Sequence, residues 1–141
     1  MKKRIAFDLD ETIAVALVDV NSLVGFSIRP GCAELLGKLA PKYDLVLWSS
    51  SERLYLDRAL DASLKTYFKE SYSWQEMPHR WKDIRLIKAD YLVDDSEHHS
   101  NEARKHGLEQ HYIVVPPYGA QEDIADPLKW TRIVLNRLRK D

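Results

Sequence analysis

Four short apolar runs mark the strands of a predicted sheet. They are Ile5-Ala6-Phe7, Leu45-Val46-Leu47-Trp48, Tyr91-Leu92-Val93 and Tyr112-Ile113-Val114-Val115. A polar residue follows each of the first three runs: Asp8, Ser49 and Asp94 in turn. The fourth run stops at Pro116-Pro117, which cannot continue a ladder of backbone hydrogen bonds. Continuous apolar runs of this length are typical of strands buried on both faces.

Helical patterns separate these runs. They span residues 30–41, 52–60, 96–106 and 126–138. Apolar positions recur at helical spacing in the first, second and fourth, while the third is a polar pattern. Pro30 suits the start of the first helix and Pro41 its end, while Gly107 suits the left-handed position that closes the third. Strands that alternate with helices predict an α/β fold whose mainly parallel sheet is covered by helices on both faces.

Residues 13–28 break this alternation. Two apolar segments, 13–18 and 23–28, flank Asn21-Ser22, which predicts a β-hairpin. Because the hairpin directly follows the first acidic cluster, it is either a small flap over the site or an edge hairpin that packs on the core. No linker composition separates it from the rest, so we expect a single domain over residues 1–141.

Length, charge and cysteine content narrow the function classes. The chain has 141 residues and a net charge of −1, with 45% hydrophobic and 30% charged residues, an ordinary globular balance. The near-zero charge argues against attachment to nucleic acid or membranes through bulk positive charge. A single cysteine, Cys32, excludes an intramolecular disulfide scaffold. No apolar run is long enough for a signal peptide or membrane helix, so we expect a cytoplasmic location.

Polar residues cluster where the strands end. In parallel sheets the carboxyl ends of the strands form the ligand-binding edge, so Asp8, Ser49 and Asp94 should converge there. Asp8 and Asp10 lie two apart, and close carboxylates need a cation or a proton between them. Magnesium fits because it takes hard oxygen ligands. Taken alone, this segment would equally suit an acidic turn that caps a helix.

Three further segments could complete such a site. Asp94-Asp95-Ser96 offers a second carboxylate pair, although it also suits a helix N-cap. Hydroxyl groups and backbone amides at Ser49, Ser50 and Ser51 form a candidate anion site near a helix start, or a simple cap. Lys82 could add positive charge, but a solvated lysine is the more frequent interpretation of one isolated lysine.

In this order, the four segments resemble the motifs of the haloacid-dehalogenase-like superfamily of phosphotransferases. Asp-Leu-Asp-Glu-Thr at 8–12, Ser49 after an apolar strand, and a lysine followed by Asp94-Asp95 match the superfamily's motifs across nearly the whole chain. Arg29-Pro30-Gly31 and the segments 45–51 and 93–96 are similar to small-cap phosphatases of the C-terminal-domain phosphatase type. The resemblance implies a Rossmann-like sheet without a large cap domain.

The resemblance also implies roles for individual residues. Asp8 would be the nucleophile that forms an aspartyl-phosphate, and Asp10 the general acid and base. Thr12 would fix the loop that aims Asp10. Ser49, Ser50 and Lys82 would bind the phosphate, although Lys88 and Arg80 remain substitutes for Lys82 because its spacing to Asp94 is short.

The family resemblance also implies a bound metal ion. Mg²⁺ would bind Asp8, the backbone carbonyl of Asp10 and Asp95, while Asp94 would act through water or orient Lys82. The expected function is therefore a magnesium-dependent phosphomonoester hydrolase.

The sequence constrains the class of substrate less than it constrains the type of reaction. A capless site would be open, which suits a phosphate on a macromolecule as well as a small molecule. A phosphoprotein or small phosphomonoester is favoured over nucleic acid by the near-neutral charge, with a nucleotide or polynucleotide 3′-phosphatase as the enzymatic alternative. A non-catalytic module that binds a phosphorylated partner is the alternative outside catalysis, although binding alone would not need both Asp8 and Asp10.

Other conspicuous residues have simpler interpretations. His98 and His99 point in different directions if they lie on a helix, which favours a structural or solvated role over a metal site. The four tryptophans, Trp48, Trp74, Trp81 and Trp130, are expected in the core rather than on a base-stacking platform. Cys32 shows no local partner for nucleophilic chemistry.

Overall fold

A five-stranded parallel sheet forms the centre of the computed structural model, which describes residues 2–61 and 64–140. The strands are β1 Lys3–Phe7, β4 Tyr43–Trp48, β5 Glu70–Tyr72, β6 Tyr91–Asp94 and β7 Tyr112–Val114. Their order is β5-β4-β1-β6-β7, and all neighbours are parallel. The predicted α/β architecture is therefore confirmed. β5 was not predicted from the sequence, because its Glu-Ser-Tyr segment carries no apolar run.

Helices cover both faces of this sheet, as the alternating pattern predicted. They are α1 Cys32–Leu39, α2 Arg53–Asp61, α3 Glu97–Arg104, α4 Gln121–Ala125 and α5 Lys129–Leu138. Gly31 precedes α1 at a φ of 82°, where a Cβ atom would lie 2.8 Å from Leu128 Cδ2. Gly107 follows α3 at a φ of 73°, so its left-handed position is as predicted.

Two apolar clusters pack on opposite faces of the sheet. Side chains alternate along the central strand, so Ile5 and Phe7 join the cluster that contains α1 and α5, while Ala6 joins the other. Trp48, Trp81 and Trp130 are buried, but Trp74 is 51% exposed, so its predicted core position is wrong. Trp74 begins a short 3₁₀ turn whose capping box is formed by Ser73 and Glu76, and this turn holds it at the surface.

The predicted hairpin is present as a separate two-stranded sheet, β2 Ala14–Asp19 paired antiparallel with β3 Ser22–Ile28. Its turn lies one residue earlier than predicted, at Val20 and Asn21, whose φ values of 46° and 64° are both positive. The hairpin contacts α2, because Phe26 meets Tyr55 edge-on and Arg58 Nη2 donates to the Leu23 carbonyl at 2.8 Å. No larger cap is inserted among the described residues.

Within residues 2–61 and 64–140, none of the helices is long and apolar enough to cross a lipid bilayer.

Candidate active site

The site begins where the two central strands end side by side. Phe7 and Val93 are paired across β1 and β6, and the amide of Asp8 donates to the Val93 carbonyl at 2.9 Å. This register places the carboxylates of Asp8 and Asp94 at the same edge of the sheet. Both residues are almost fully buried, with 7% and 4% exposure. Two carboxylates removed from water in this way require compensating charge nearby.

Lys82 supplies part of that charge. Its Nζ donates to Asp8 Oδ1 at 2.7 Å and to Asp94 Oδ2 at 2.9 Å, and its side chain is 1% exposed. Burial alone lowers the pKa of Lys82, but the charges of Asp8 and Asp94 outweigh burial and raise it above its usual value. The solvated interpretation of Lys82 is therefore wrong. Lys88 and Arg80, the two substitutes, are both exposed.

Two side chains hold the backbone of Lys82 in place. The amide of Lys82 donates to Nδ1 of His99 at 2.9 Å, and the Tyr112 hydroxyl donates to the Lys82 carbonyl at 2.7 Å. Burial and the charge of Lys82 lower the pKa of His99 to about 3, so its ring stays neutral and able to accept. His99 thus has a structural role, as predicted, whereas His98 is exposed. The contact between His99 and Lys82 was not predicted.

Three carboxylates gather beside this lysine. Oxygens of Asp8, Asp94 and Asp95 all lie within 4.8 Å of one another. Desolvation, followed by the hydrogen bond to Asp8 and the charges of Asp8 and Asp94, raises the pKa of Asp95 to about 7. Even with Lys82 charged, the fully ionised cluster would hold two more negative charges than positive ones. A hard divalent cation fits this oxygen donor set, since Mg²⁺ prefers carboxylate oxygens.

Thr12 ties the first motif to the last. Its hydroxyl lies 2.9 Å from Asp8 Oδ2 and 3.0 Å from Asp95 Oδ1, and it accepts the Asp95 amide at 3.0 Å. A single hydroxyl proton serves one carboxylate at a time. Thr12 is fully buried. It therefore holds Asp8 and Asp95 directly, and its expected role in fixing the loop that aims Asp10 stays a prediction.

Asp10 has hydrogen-bond partners of its own. The chain turns at Glu11, whose φ is 64°, and the Asp10 carboxylate is not one of the three clustered carboxylates. Tyr55 Oη donates to Asp10 Oδ1 at 2.5 Å, and Ser51 Oγ donates to Oδ2 at 3.2 Å. Burial and the Asp10 carboxylate raise the pKa of Tyr55, so its hydroxyl remains a donor. The Asp10 side chain is thus separate from the predicted metal ligands.

The serine segment contacts Asp10 through the Ser51 hydroxyl. Ser49 is 1% exposed, its amide donates to the Tyr72 carbonyl, and its Oγ accepts the Ser51 amide at 3.1 Å. Ser50, predicted to bind phosphate, is exposed. The structure thus brings Asp8, Thr12, Lys82, Asp94 and Asp95 into direct contact, and links Asp10 to this segment through Ser51.

Arg29 was missed as a site residue, although it appears in the Arg-Pro-Gly segment. It is 1% exposed and donates to the carbonyls of Thr12 at 3.0 Å and Pro116 at 2.6 Å, and to Asp123 Oδ1 at 2.9 Å. Its guanidinium lies 4.7 Å from the Trp130 ring centre. Arg29 therefore clamps the backbone of the first motif to the C-terminal part of the fold.

Comparison with known proteins gives a family and a fold. The sequence model of the NLI interacting factor-like phosphatases matches residues 3–126. No curated protein matches the chain.

Among solved structures, the fission yeast RNA polymerase II CTD phosphatase Fcp1 bound to beryllium fluoride is similar at a TM-score of 0.62 and 19% identity. That alignment covers 84% of this chain and 42% of the yeast chain. A second structure of Fcp1, described as an essential RNA polymerase II CTD phosphatase, has a TM-score of 0.66 and 17% identity over 99% of this chain and 50% of its own.

A HAD family enzyme from Bacteroides thetaiotaomicron, in complex with magnesium and inorganic phosphate, has a TM-score of 0.58 and 14% identity. Its alignment covers 88% of this chain and 99% of the bacterial one. At these identities the likeness establishes the shared fold. The chain spans half or less of the two Fcp1 chains.

Proposed function

The chain belongs to the NLI interacting factor-like phosphatase family, and from this premise we propose that it hydrolyses phosphate monoesters with Mg²⁺ through an aspartyl-phosphate on Asp8. The single observation that carries the proposal is the buried contact of Lys82 Nζ with both Asp8 and Asp94 at the strand ends. A cation held there offsets the charge that would otherwise repel a phosphate dianion from an anionic nucleophile.

Asp8 is the nucleophile of the proposed first step. Its two oxygens are oriented by Lys82 and Thr12, so its carboxylate is fixed before a substrate arrives. A carboxylate oxygen of Asp8 attacks phosphorus, and the bond between phosphorus and the ester oxygen breaks. Asp10, protonated for this step, gives its proton to the leaving oxygen.

The second step returns the enzyme to its starting state. Asp10 takes a proton from a water molecule, whose oxygen attacks the phosphorus of the aspartyl-phosphate. The bond between phosphorus and the Asp8 oxygen breaks, inorganic phosphate leaves, and the Asp8 carboxylate is regenerated. Ser49 and Lys82 are proposed to hold the phosphoryl oxygens during both steps.

Asp8 and Asp95 are the side chains proposed to hold Mg²⁺, together with the backbone carbonyl of Asp10 that the family resemblance implies. Asp94 is already engaged, since Oδ2 accepts from Lys82 and Oδ1 accepts the Ser96 amide at 2.9 Å. We therefore assign Asp94 to the orientation of Lys82. When bound, Mg²⁺ would neutralise charge on the transferring phosphoryl group.

The substrate is proposed to be a phosphoserine or phosphothreonine side chain in a peptide. We infer that the two-stranded hairpin acts as a small flap, and an open edge of the sheet can admit a phosphate on an extended chain. The two Fcp1 structures, both of CTD phosphatases, favour the same class. The single-domain organisation over residues 1–141, with 13–28 as a flap, belongs to this proposal.

A phosphatase screen tests the proposal. Phosphate release is measured with phosphopeptides, nucleotides, 3′-phosphorylated oligonucleotides and p-nitrophenyl phosphate, with Mg²⁺ and with EDTA. We expect Mg²⁺-dependent turnover that Asp8→Asn abolishes. The control Asp126→Asn, at a half-buried carboxylate outside the site, should leave it unchanged.

Acid quenching during turnover should trap phosphate on Asp8. Full turnover by the Asp8→Asn variant, or metal binding without turnover of any substrate, would refute the proposed function. Preference for 3′-phosphorylated oligonucleotides would replace the substrate class but keep the chemistry.

A further inference from the structure

Tyr55 connects the Asp10 carboxylate to the hairpin. Its hydroxyl donates to Asp10 Oδ1 at 2.5 Å, and its ring meets the Phe26 ring at 5.4 Å with an interplanar angle of 72°. Tyr55 lies on α2 and Phe26 on β3, so one side chain touches both the first motif and the hairpin. Edge-on aromatic pairs of this geometry are attractive beyond simple burial.

A second contact joins the same two elements. Arg58, one helical turn after Tyr55, donates through Nη2 to the Leu23 carbonyl at 2.8 Å. The hairpin is thus attached to α2 at two points along β3. Tyr55 is half-buried at this junction.

The Asp10 carboxylate has both oxygens engaged from α2 and the residues before it. Ser51 Oγ donates to Oδ2 at 3.2 Å, while Tyr55 holds Oδ1. Both partners are hydroxyl groups, which can turn from donating to accepting. The pair can therefore remain in contact with Asp10 whether or not the carboxyl group carries a proton.

We propose that Tyr55 is a positioning residue for proton transfer by Asp10 and that its contact with Phe26 links this proton transfer to the hairpin. The inference rests on the proposed function, because it needs Asp10 to act as the general acid and base. It goes further by assigning a function to a side chain outside the four motifs. An aligned proton donor accelerates ester cleavage, and a freely rotating carboxyl group loses part of that advantage.

The leaving group distinguishes this role from a merely structural one. A general acid matters most when the departing oxygen is a strong base and least when it leaves without a proton. Tyr55→Phe keeps the ring against Phe26 and removes only the hydroxyl. The quantity to compare is kcat/KM, which reports the steps up to release of the leaving group and excludes hydrolysis of the aspartyl-phosphate. We expect kcat/KM for phenyl phosphate to fall about tenfold or more, a part of the 10²–10⁴-fold that general acid catalysis contributes, and kcat/KM for 2,4-dinitrophenyl phosphate to change less than about twofold.

A double-mutant cycle tests whether Tyr55 acts through Asp10. In an Asp10→Asn background, which has no proton to place, adding Tyr55→Phe should cause no further loss on phenyl phosphate. Ser51→Ala is a second variant that disturbs the other Asp10 oxygen and should show the same dependence on leaving group. Tyr67→Phe, at a half-buried tyrosine elsewhere in the fold, is the matched control.

The hairpin part of the proposal has its own variant. Phe26→Leu removes the ring contact but leaves the Tyr55 hydroxyl in place, and it should reduce kcat/KM for phenyl phosphate more than kcat/KM for the dinitrophenyl ester. Circular dichroism and urea unfolding establish that each variant is folded before its kinetics are compared.

Two results would overturn the inference: equal losses of kcat/KM on both esters with Tyr55→Phe, or additive losses of kcat/KM in the Asp10→Asn background. An unchanged leaving-group dependence with Phe26→Leu would remove the link to the hairpin. These results differ from failure of the proposed function, which would appear as absence of Mg²⁺-dependent turnover in the wild-type protein or as its retention in Asp8→Asn.

Discussion

Replacement of Lys82 by methionine should destabilise the fold more than any surface change nearby. The lysine side chain is 1% exposed, and its Nζ lies 2.7 Å from Asp8 and 2.9 Å from Asp94. At an effective dielectric constant of about 20, each attraction is worth about 6 kcal/mol before desolvation is subtracted. Removing one partner of such a buried group typically costs about 3–5 kcal/mol, because the remaining charges stay buried and uncompensated.

The expected loss is large relative to the stability of a domain, which is typically about 5–15 kcal/mol. With a urea dependence of about 2 kcal/mol per molar, the unfolding midpoint of Lys82→Met should fall by about 1.5–2.5 M. Lys88→Met is the control, since it makes the same chemical change at an exposed lysine six positions later. Its midpoint should change by less than about 0.3 M, as expected for a surface substitution.

The pH dependence of this difference can be derived from the direction of the pKa shift. The pKa of Lys82 is raised above 10.5 by its carboxylate partners, so the stability it contributes is fully present below pH 10.5. That contribution is lost only as the pH rises through the folded-state value. The gap between wild type and Lys82→Met should therefore persist at pH 7–9. It should shrink towards pH 4, where carboxylates left without the lysine take up protons.

Urea titrations followed by circular dichroism at pH 4, 7 and 9 in EDTA measure these quantities. A drop in midpoint no larger than that of Lys88→Met would refute the assignment of Lys82 as a buried counter-charge. A gap that is the same at pH 4 as at pH 7 would refute the electrostatic origin of the loss.

Three further expectations test other parts of the fold. The pKa of His99 is lowered to about 3 by burial, so unfolding takes up a proton between pH 3 and 6.5. The free energy of unfolding should therefore rise with pH in this range, by up to about 1.4 kcal/mol per pH unit. Urea midpoints of His99→Asn should rise less steeply with pH, and an equal slope would contradict the assignment of His99 as a buried neutral ring. Burial raises the pKa of the Cys32 thiol to about 12. An aromatic disulfide reagent at pH 8 should therefore label the native thiol at least about a hundred times more slowly than the urea-unfolded one. Equal labelling rates would show that the native thiol is accessible. Arg29→Met should lower the free energy of unfolding in urea by about 3–5 kcal/mol. Adding Asp123→Asn to that variant should cause little further loss, because the ion pair is already broken. Additive losses would contradict a direct pair between Arg29 and Asp123.

Strand ends could be predicted because they depend on local pattern. Apolar runs followed by Asp8, Ser49 and Asp94 mark the points where buried strands reach the surface, and parallel pairing brings those points together. The hairpin was predictable for the same reason, since its two apolar segments and the Asn21-Ser22 dipeptide between them are adjacent in the chain. The short edge strand β5 could not be predicted in this way, because it has no apolar run and is defined only by its backbone pairing with β4.

The supporting contacts could not be predicted because their partners are far apart in sequence. Arg29 and Asp123 are separated by 94 residues, and Asp10 and Tyr55 by 45. Neither pair has a pattern of its own, since a single arginine or tyrosine is usually at the surface or at the edge of the core. The burial of Lys82 likewise depends on two strand ends that converge only in the folded protein. Motif spacing therefore predicted which residues meet, but not which residues hold them.

The fold separates the two chemical tasks of the proposed reaction. Asp8, Asp94 and Lys82 are anchored to the ends of β1 and β6 and to buried neighbours in the core, where displacement is costly. Asp10 is held by Ser51 and Tyr55, whose own neighbour is the two-stranded hairpin rather than the central sheet. A substrate that presses on the hairpin could thus alter proton transfer without disturbing the groups that receive the phosphate.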